Sequence, residues 1–99
     1  MLLTAEPKIE RVIMAVSNAC EIDPALIKSP SRKGEISLTR QIVMYVIWMK
    51  TPFTLEDIGN HLGDRMPATI SHGIQNIQSL MQESEGLKAF VDSLLVVSY

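Results

Sequence analysis

Residues 54–77 read TLEDIGNHLGDRMPATISHGIQNI, a pattern of two short helices separated by a turn centred on Gly63. Thr54 is a favourable N-cap, and the side chain of Asp57, three residues later, can accept a hydrogen bond from the backbone N–H of that cap. Apolar residues at i, i+3 and i+7 from Leu55 form one face of the first helix, which Gly63 ends in a left-handed conformation. This order of elements predicts a helix-turn-helix and favours nucleic-acid binding.

The second helix of this segment is expected to have Pro67 in its first turn, where the missing N–H of proline costs little. Apolar residues continue it at helical spacing: Ile70, Ile74, Ile77 and Met81. In helix-turn-helix proteins the N-terminal residues of this helix face base edges in the major groove. Here those residues are Met66, Pro67, Ala68 and Thr69. Two helices around a glycine turn also describe any helical hairpin, so the motif alone leaves DNA binding open.

The sequence before this segment predicts further helices and one basic loop. Periodic apolar residues from Ile9 indicate a first helix that ends near Cys20, and Asp23 followed by proline predicts a single helical turn. Residues 29–34 read SPSRKG, which is typical of an exposed loop and carries two adjacent basic side chains.

A helix from Leu38 to Lys50, capped by Ser37, is apolar on more than one side. It is therefore either the central helix of the domain, which we favour, or part of an interface. After residue 77, Gly86 interrupts the helical spacing of apolar residues, and a last amphipathic helix is expected from about residue 87. With no strand pattern in the sequence, we expect an all-α fold in a single domain over residues 1–99.

The charge of the chain argues against binding that relies on net charge. The formal net charge is −2, so any contact with nucleic acid has to use a local basic face. Basic residues do gather in the middle of the chain, whereas acidic residues gather near its C-terminus. The basic residues are Lys28, Arg32, Lys33, Arg40, Lys50 and Arg65.

The sequence shows no pattern of an enzyme, a metal site or a cofactor site. The single cysteine, Cys20, precludes an intramolecular disulfide and suits a reducing cytosol. His61 and His72 are too far apart to share a helical face as metal ligands, and Ser71 does not face its neighbour His72 as a nucleophile faces a base. The sequence has no signal-peptide pattern and no membrane-spanning apolar run, so we expect the chain to be cytoplasmic. We also expect it to be nucleoid-associated and to have no small-molecule substrate.

Several short runs keep the spacing of a known family. Residues 40–45 read RQIVMY, Ile58-Gly59 is followed by Gly63-Asp-Arg65, and residues 69–72 read TISH. They resemble runs in the C-terminal DNA-binding domain, domain IV, of the bacterial replication initiator DnaA. The first run is similar to Arg-Gln-Ile-Ala-Met-Tyr of that domain, the glycine-containing positions to its Ile-Gly and Gly-Gly-Arg, and the last run to its Thr-Val-Leu-His. The likeness runs from about Ile9 to Ile77. It implies a Trp-repressor-like helix-turn-helix domain that binds double-stranded DNA.

The resemblance also implies which residues contact DNA. A loop arginine that enters the minor groove corresponds to Arg32, where it would sense groove width and negative potential. An Arg-Gln pair corresponds to Arg40 and Gln41, and Arg40 would touch phosphate or a base edge nearby. Lys33 is included as the second basic side chain of the loop. Positions implied to lie near the DNA backbone are Thr54, Arg65 and Thr69, and His72 has a matching family position near DNA.

The residues that would read bases depart from the family. Where the family has a base-reading triplet Asp-His-Thr, or a variant of it with Ser, this chain has Met66-Pro67-Ala68. None of these side chains forms a hydrogen bond with a base edge, although Met66 or Ala68 could touch a thymine methyl. Each lost contact removes roughly 1–3 kcal/mol of discrimination. We therefore expect modest affinity and relaxed specificity, in regulation of replication initiation or transcription.

An alternative interpretation is a protein-interaction module that derives from such a domain and binds another protein rather than reading DNA. Trp48 stands where the family usually has a basic residue, and an exposed aromatic side chain is a common anchor of protein interfaces. The run Leu94-Leu-Val-Val97 is apolar at successive positions, which cannot all face one core. Under this interpretation Trp48, Leu94 and Val97 contact replication machinery or a second copy of the chain in a homodimer.

Overall fold

Six helices make up the described part of the chain in the computed structural model, which describes the backbone of residues 5–99 and the side chains of residues 8–99. They are α1 Ala5–Cys20, α2 Pro24–Ile27, α3 Gly34–Lys50, α4 Leu55–His61, α5 Pro67–Glu83 and α6 Glu85–Leu95. No strand occurs within residues 5–99, so the predicted all-α class is confirmed. Residues 1–4, which the sequence assigns to the same domain, lie outside the described residues.

The central element is α3, as its apolar pattern predicts. It packs against all the other helices, and residues 42–47 are buried without interruption. Every helix contributes to the hydrophobic cluster around it: α1 turns Ile9, Val12, Ile13 and Val16 inward, and α5 turns Ile70, Ile74 and Ile77 inward. This arrangement seats the helix-turn-helix on the central helix.

The start of α3 differs from the predicted one. The helix begins at Gly34 with Lys33 as its N-cap, and the N–H of Ser37 donates to the carbonyl of Lys33 at 2.8 Å. Ser37 therefore lies inside the first turn and does not cap the helix. The added turn buries Ile36, whose exposed fraction is 6%, and that burial favours the earlier start.

The helix-turn-helix consists of α4, a turn and α5. Both hydrogen bonds of the predicted capping box form between Thr54 and Asp57, and Gly63 ends α4 with a φ of 73°. After this turn the N–H of Arg65 donates to the carbonyl of Gly59 at 2.9 Å. The carbonyl of Arg65 lies so close to Gly59 that a β-carbon at Gly59 would collide with it. A glycine at residue 59 thus sets how closely α5 approaches α4.

The last helix corrects two expectations. It begins at Glu85, because the Ser84 side chain caps it by accepting from the N–H of Leu87 at 3.1 Å. Gly86 therefore lies in its first turn and does not interrupt the helical pattern. Leu94, expected at a protein interface, is buried in the core with an exposed fraction of 6%. Val97 lies beyond the helix and is 41% exposed, so it remains available to a partner.

The burial of Leu94 predicts a large loss of stability on truncation. Leu94→Ala should lower the free energy of unfolding by about 2–4 kcal/mol, because it removes buried methyl groups and leaves a cavity. Val97→Ala, the matched control, should change it by less than about 0.5 kcal/mol. Urea denaturation monitored by circular dichroism measures both values, and equal effects would contradict the placement of Leu94 in the core.

Candidate nucleic-acid interface

The basic loop at residues 29–33 is held in place by Arg40. Its Nε donates to the carbonyl of Ile27 at 2.7 Å, and its Nη1 donates to that of Ser31 at 3.0 Å. Its Nη2 donates to the carbonyls of Leu26 at 3.0 Å and Ser29 at 2.9 Å. Four of the five N–H donors of the guanidinium are thus used by the backbone that ends α2 and forms the loop.

This geometry corrects the expected role of Arg40. The residue is only 5% exposed, and four of its five donors already have backbone partners, so its side chain does not extend into solvent toward a base edge. Arg40 instead positions the loop that carries Arg32 and Lys33. Both of those side chains are exposed, and Arg32 forms no hydrogen bond or ion pair with any described residue.

Arg65 joins the same loop to the turn of the helix-turn-helix. Its Nη1 donates to the carbonyl of Leu62 at 2.7 Å, and its Nη2 donates to the carbonyl of Ser29 at 2.6 Å. The carbonyl of Ser29 therefore accepts from Arg40 and Arg65 together. Since one arginine comes from α3 and the other from the turn before α5, this shared acceptor fixes the loop against both elements.

The two guanidinium groups carry positive charge that no carboxylate neutralises within the described residues. Burial lowers the pKa of Arg40, and repulsion by Arg65 lowers it further; burial also lowers the pKa of Arg65. Arginine nevertheless stays protonated at neutral pH. Both charges are thus held at some cost, and an anion placed beside them would offset that cost.

An open cleft of about 720 Å³ lies where these groups meet. Its lining residues are Lys28, Pro30, Arg32, Ser37, Arg40, Gly63, Arg65 and Thr69. Four of them are basic, and the hydroxyl groups of Ser37 and Thr69 can donate hydrogen bonds. The cleft therefore has the charge and the donors to hold a phosphate group.

The structure brings only part of the expected DNA-binding set to this cleft. The members that line it are Arg32, Arg40, Arg65 and Thr69. Gln41 instead accepts a hydrogen bond of 2.7 Å from Asn76 and so links α3 to α5. The hydroxyl of Thr54 caps α4. His72 is exposed on α5, directly before the buried Gly73.

Sequence reasoning missed two lining residues, Lys28 and Ser37. Lys28 belongs to the central group of basic residues, but its position at the end of α2 gave no reason to single it out. Its Nζ lies 2.9 Å from the Glu10 carboxylate in an exposed ion pair, which reduces its availability to DNA. Ser37 was expected to cap α3, but it lies inside the first turns of that helix and lines the cleft.

A separate apolar surface surrounds Trp48. Its side chain is 41% exposed, which confirms the expected partial exposure, and its neighbour Met49 is 50% exposed. The rings of Trp48 and Tyr45 have centroids 6.2 Å apart. A shallow groove of about 180 Å³ beside Trp48 is lined further by Leu55, Ser71, Ile74, Gln75 and Gln78. This surface differs in chemistry from the basic cleft.

Other kinds of site were sought in the described part of the chain. Among residues 8–99, no three or more His, Cys, Asp or Glu side chains are arranged to hold a metal ion. No helix within residues 5–99 is long and apolar enough to cross a membrane.

Comparisons with a sequence profile and with individual known proteins point to the same family. A sequence profile described as the bacterial DnaA protein helix-turn-helix matches residues 9–77. The chromosomal replication initiator protein DnaA of Ureaplasma parvum is 36% identical over 89 residues, which cover 90% of this chain and 20% of that protein. The proteins of the same name from Thermomicrobium roseum and Campylobacter concisus are 34% and 35% identical and cover 83% and 78% of this chain. The chain spans about a fifth of the length of these relatives.

The role of Arg40 can be tested by a substitution that keeps its charge. Arg40→Lys should lower the free energy of unfolding by about 2–3 kcal/mol, because a single ammonium group cannot serve four carbonyls in the geometry of a guanidinium. Amide hydrogen exchange at residues 29–33 should also accelerate. Arg32→Lys is the matched control and should change the stability by less than about 0.5 kcal/mol. An Arg40→Lys protein as stable as the wild type would show that Arg40 does not hold the loop.

Proposed function

The chain belongs to the bacterial DnaA helix-turn-helix family, and on that basis we propose that it binds double-stranded DNA with modest affinity and relaxed sequence specificity. The role we propose is regulation of replication initiation or transcription, in the cytoplasm and on the nucleoid. The observation that supports this function best is the basic cleft beside the helix-turn-helix, in which Arg40 and Arg65 have no carboxylate partner among the described residues.

The proposed complex places two elements on the DNA together. The start of α5 enters the major groove, as the second helix of a helix-turn-helix does. The loop at residues 29–33 then lies along the adjacent backbone, where Arg32 reaches phosphate or the minor groove. Because Arg65 bonds to Ser29, the loop and the turn before α5 move as one body, and both can engage without separate ordering costs.

The proposed weakness of sequence reading follows from the side chains at the start of α5. The side chains of Met66, Pro67 and Ala68 are exposed and have no group that forms a hydrogen bond with a base edge, so Thr69 supplies the first polar side chain of α5. Contacts with phosphate are independent of base sequence and therefore supply most of the affinity. The net charge of −2 limits the attraction from afar, so binding depends on this local surface.

The first test is the salt dependence of binding to duplex DNA. The protein should shift a duplex at low ionic strength and release it as salt rises, with a slope of log K against log [salt] of roughly −2 to −4, because a few phosphate contacts release a few counterions. Fluorescence anisotropy with a labelled duplex measures the slope. No binding to any duplex at low salt would refute the proposed function.

The second test compares an arginine of the loop with a basic residue elsewhere. Arg32→Ala should weaken binding to every duplex and reduce the salt slope by about one, because it removes one phosphate-neutralising charge. Its stability should not change, since Arg32 is exposed. Lys88→Ala on α6, whose exposed ammonium lies 2.8 Å from Asp92, is the matched control and should leave affinity and slope unchanged. Equal losses in the two variants would remove the loop from the interface.

A second candidate function is supported by the exposed side chains of Trp48 and Met49. An exposed aromatic side chain next to a shallow groove is a typical anchor for another protein. We propose self-association as the simplest such interaction, with Val97 as a further contact on the exposed tail. It would add to DNA binding and does not replace it.

Trp48 offers its own fluorescence as the readout for this second function. Its emission should be that of a solvent-exposed indole in the dilute monomer and should shift to the blue as the protein associates. Trp48→Lys should abolish association in sedimentation velocity and strengthen DNA binding by adding a phosphate contact. Met14→Lys on α1, at a residue that is 47% exposed, is the control and should do neither. An emission maximum that stays constant with concentration would count against self-association through Trp48.

A further inference from the structure

The start of α5 exposes an apolar side chain where a DNA-reading protein would place a polar one. Met66 is 69% exposed, more than Trp48 at 41%. It is the N-cap residue of α5, yet its side chain forms no capping hydrogen bond. Pro67 and Ala68, the next two residues, are exposed as well. The first turn of the helix therefore presents an apolar tip to whatever it meets.

The backbone on both sides of Met66 explains this exposure. Before it, the N–H of Arg65 donates to the carbonyl of Gly59 at 2.9 Å. After it, the N–H groups of Thr69 and Ile70 both donate to the carbonyl of Met66, at 3.0 and 3.2 Å. The turn is thus fixed by hydrogen bonds, and the Met66 side chain projects from it into solvent. The position of its backbone does not depend on a ligand.

An apolar tip distinguishes bases by contact with their apolar groups and not by hydrogen bonds. In the major groove adenine, guanine and cytosine present donors and acceptors, and an apolar side chain would remove water from them without replacing its hydrogen bonds. Thymine alone adds a methyl group, at C5. The thioether of methionine is flexible and polarizable, so it can adapt to a methyl group at slightly different positions.

We infer that Met66 recognises thymine through its C5 methyl group, while the small side chain of Ala68 lets the helix approach the base closely. This inference rests on the proposed function, because it assigns the kind of DNA that the helix-turn-helix prefers. The protein would then favour duplexes that present thymine methyl groups in the major groove. Its sequence preference would be broad, since a methyl contact does not specify neighbouring bases.

The test uses one pool of random-sequence duplexes copied in two forms, with thymidine or with deoxyuridine, which lacks only the methyl group. Wild-type protein should bind the thymidine pool more tightly at low salt, by about fourfold for each methyl group covered. Met66→Ser should bind both pools equally. Serine is a favourable N-cap, so this variant should melt no lower than the wild type, which separates loss of reading from loss of folding.

The possible outcomes separate the inference from the proposed function. Equal binding of both pools by the wild type would overturn methyl recognition and leave DNA binding intact. A preference for thymidine that persists in Met66→Ser would assign the effect to another residue and overturn the role of Met66. Failure to bind either pool would overturn both the inference and the proposed function.

Discussion

The carbonyl oxygen of Ser29 accepts hydrogen bonds from two arginines, at 2.9 Å from Arg40 and at 2.6 Å from Arg65, and the shape of the basic face depends on this acceptor. Two like charges that share one acceptor repel each other, and burial adds a cost that is visible in their lowered pKa values. Charge-assisted hydrogen bonds to backbone carbonyls offset that cost. The end of α2, the start of the loop and the turn before α5 are thereby held as one unit.

This arrangement divides the basic residues by task. Arg40 uses its donors inside the protein and contributes charge, whereas Arg32 has no partner among the described residues and can reach a ligand. The cleft between them has positive charge without a neighbouring carboxylate among those residues, which favours a phosphate group over a neutral ligand. At the start of α5, Met66 projects an apolar side chain. The surface we propose for DNA thus combines a few contacts with the phosphate backbone and weak base reading.

Sequence reasoning predicted the features that depend on residues close together in the chain. The capping box of Thr54 and Asp57, the left-handed Gly63 and the cap at Asp23 each involve neighbours within three residues, so the local pattern contains them. The role of Arg40 depends on carbonyls 9 to 14 residues earlier, which no local pattern reveals. In the same way, the burial of Leu94 is set by how α6 packs on the core, and an apolar run alone cannot give it.

The most direct test of this interface is a titration of ¹⁵N-labelled protein with duplex DNA, followed by two-dimensional NMR. The backbone amides of residues 29–33 and 66–72 should shift as DNA is added, while those of α6 stay in place. The Nε–H signal of Arg40, bonded to the carbonyl of Ile27, should remain protected in the free and bound states. Shifts concentrated on α6 would contradict the proposed interface, and an Arg40 signal that exchanges freely once DNA binds would contradict the positioning role of Arg40.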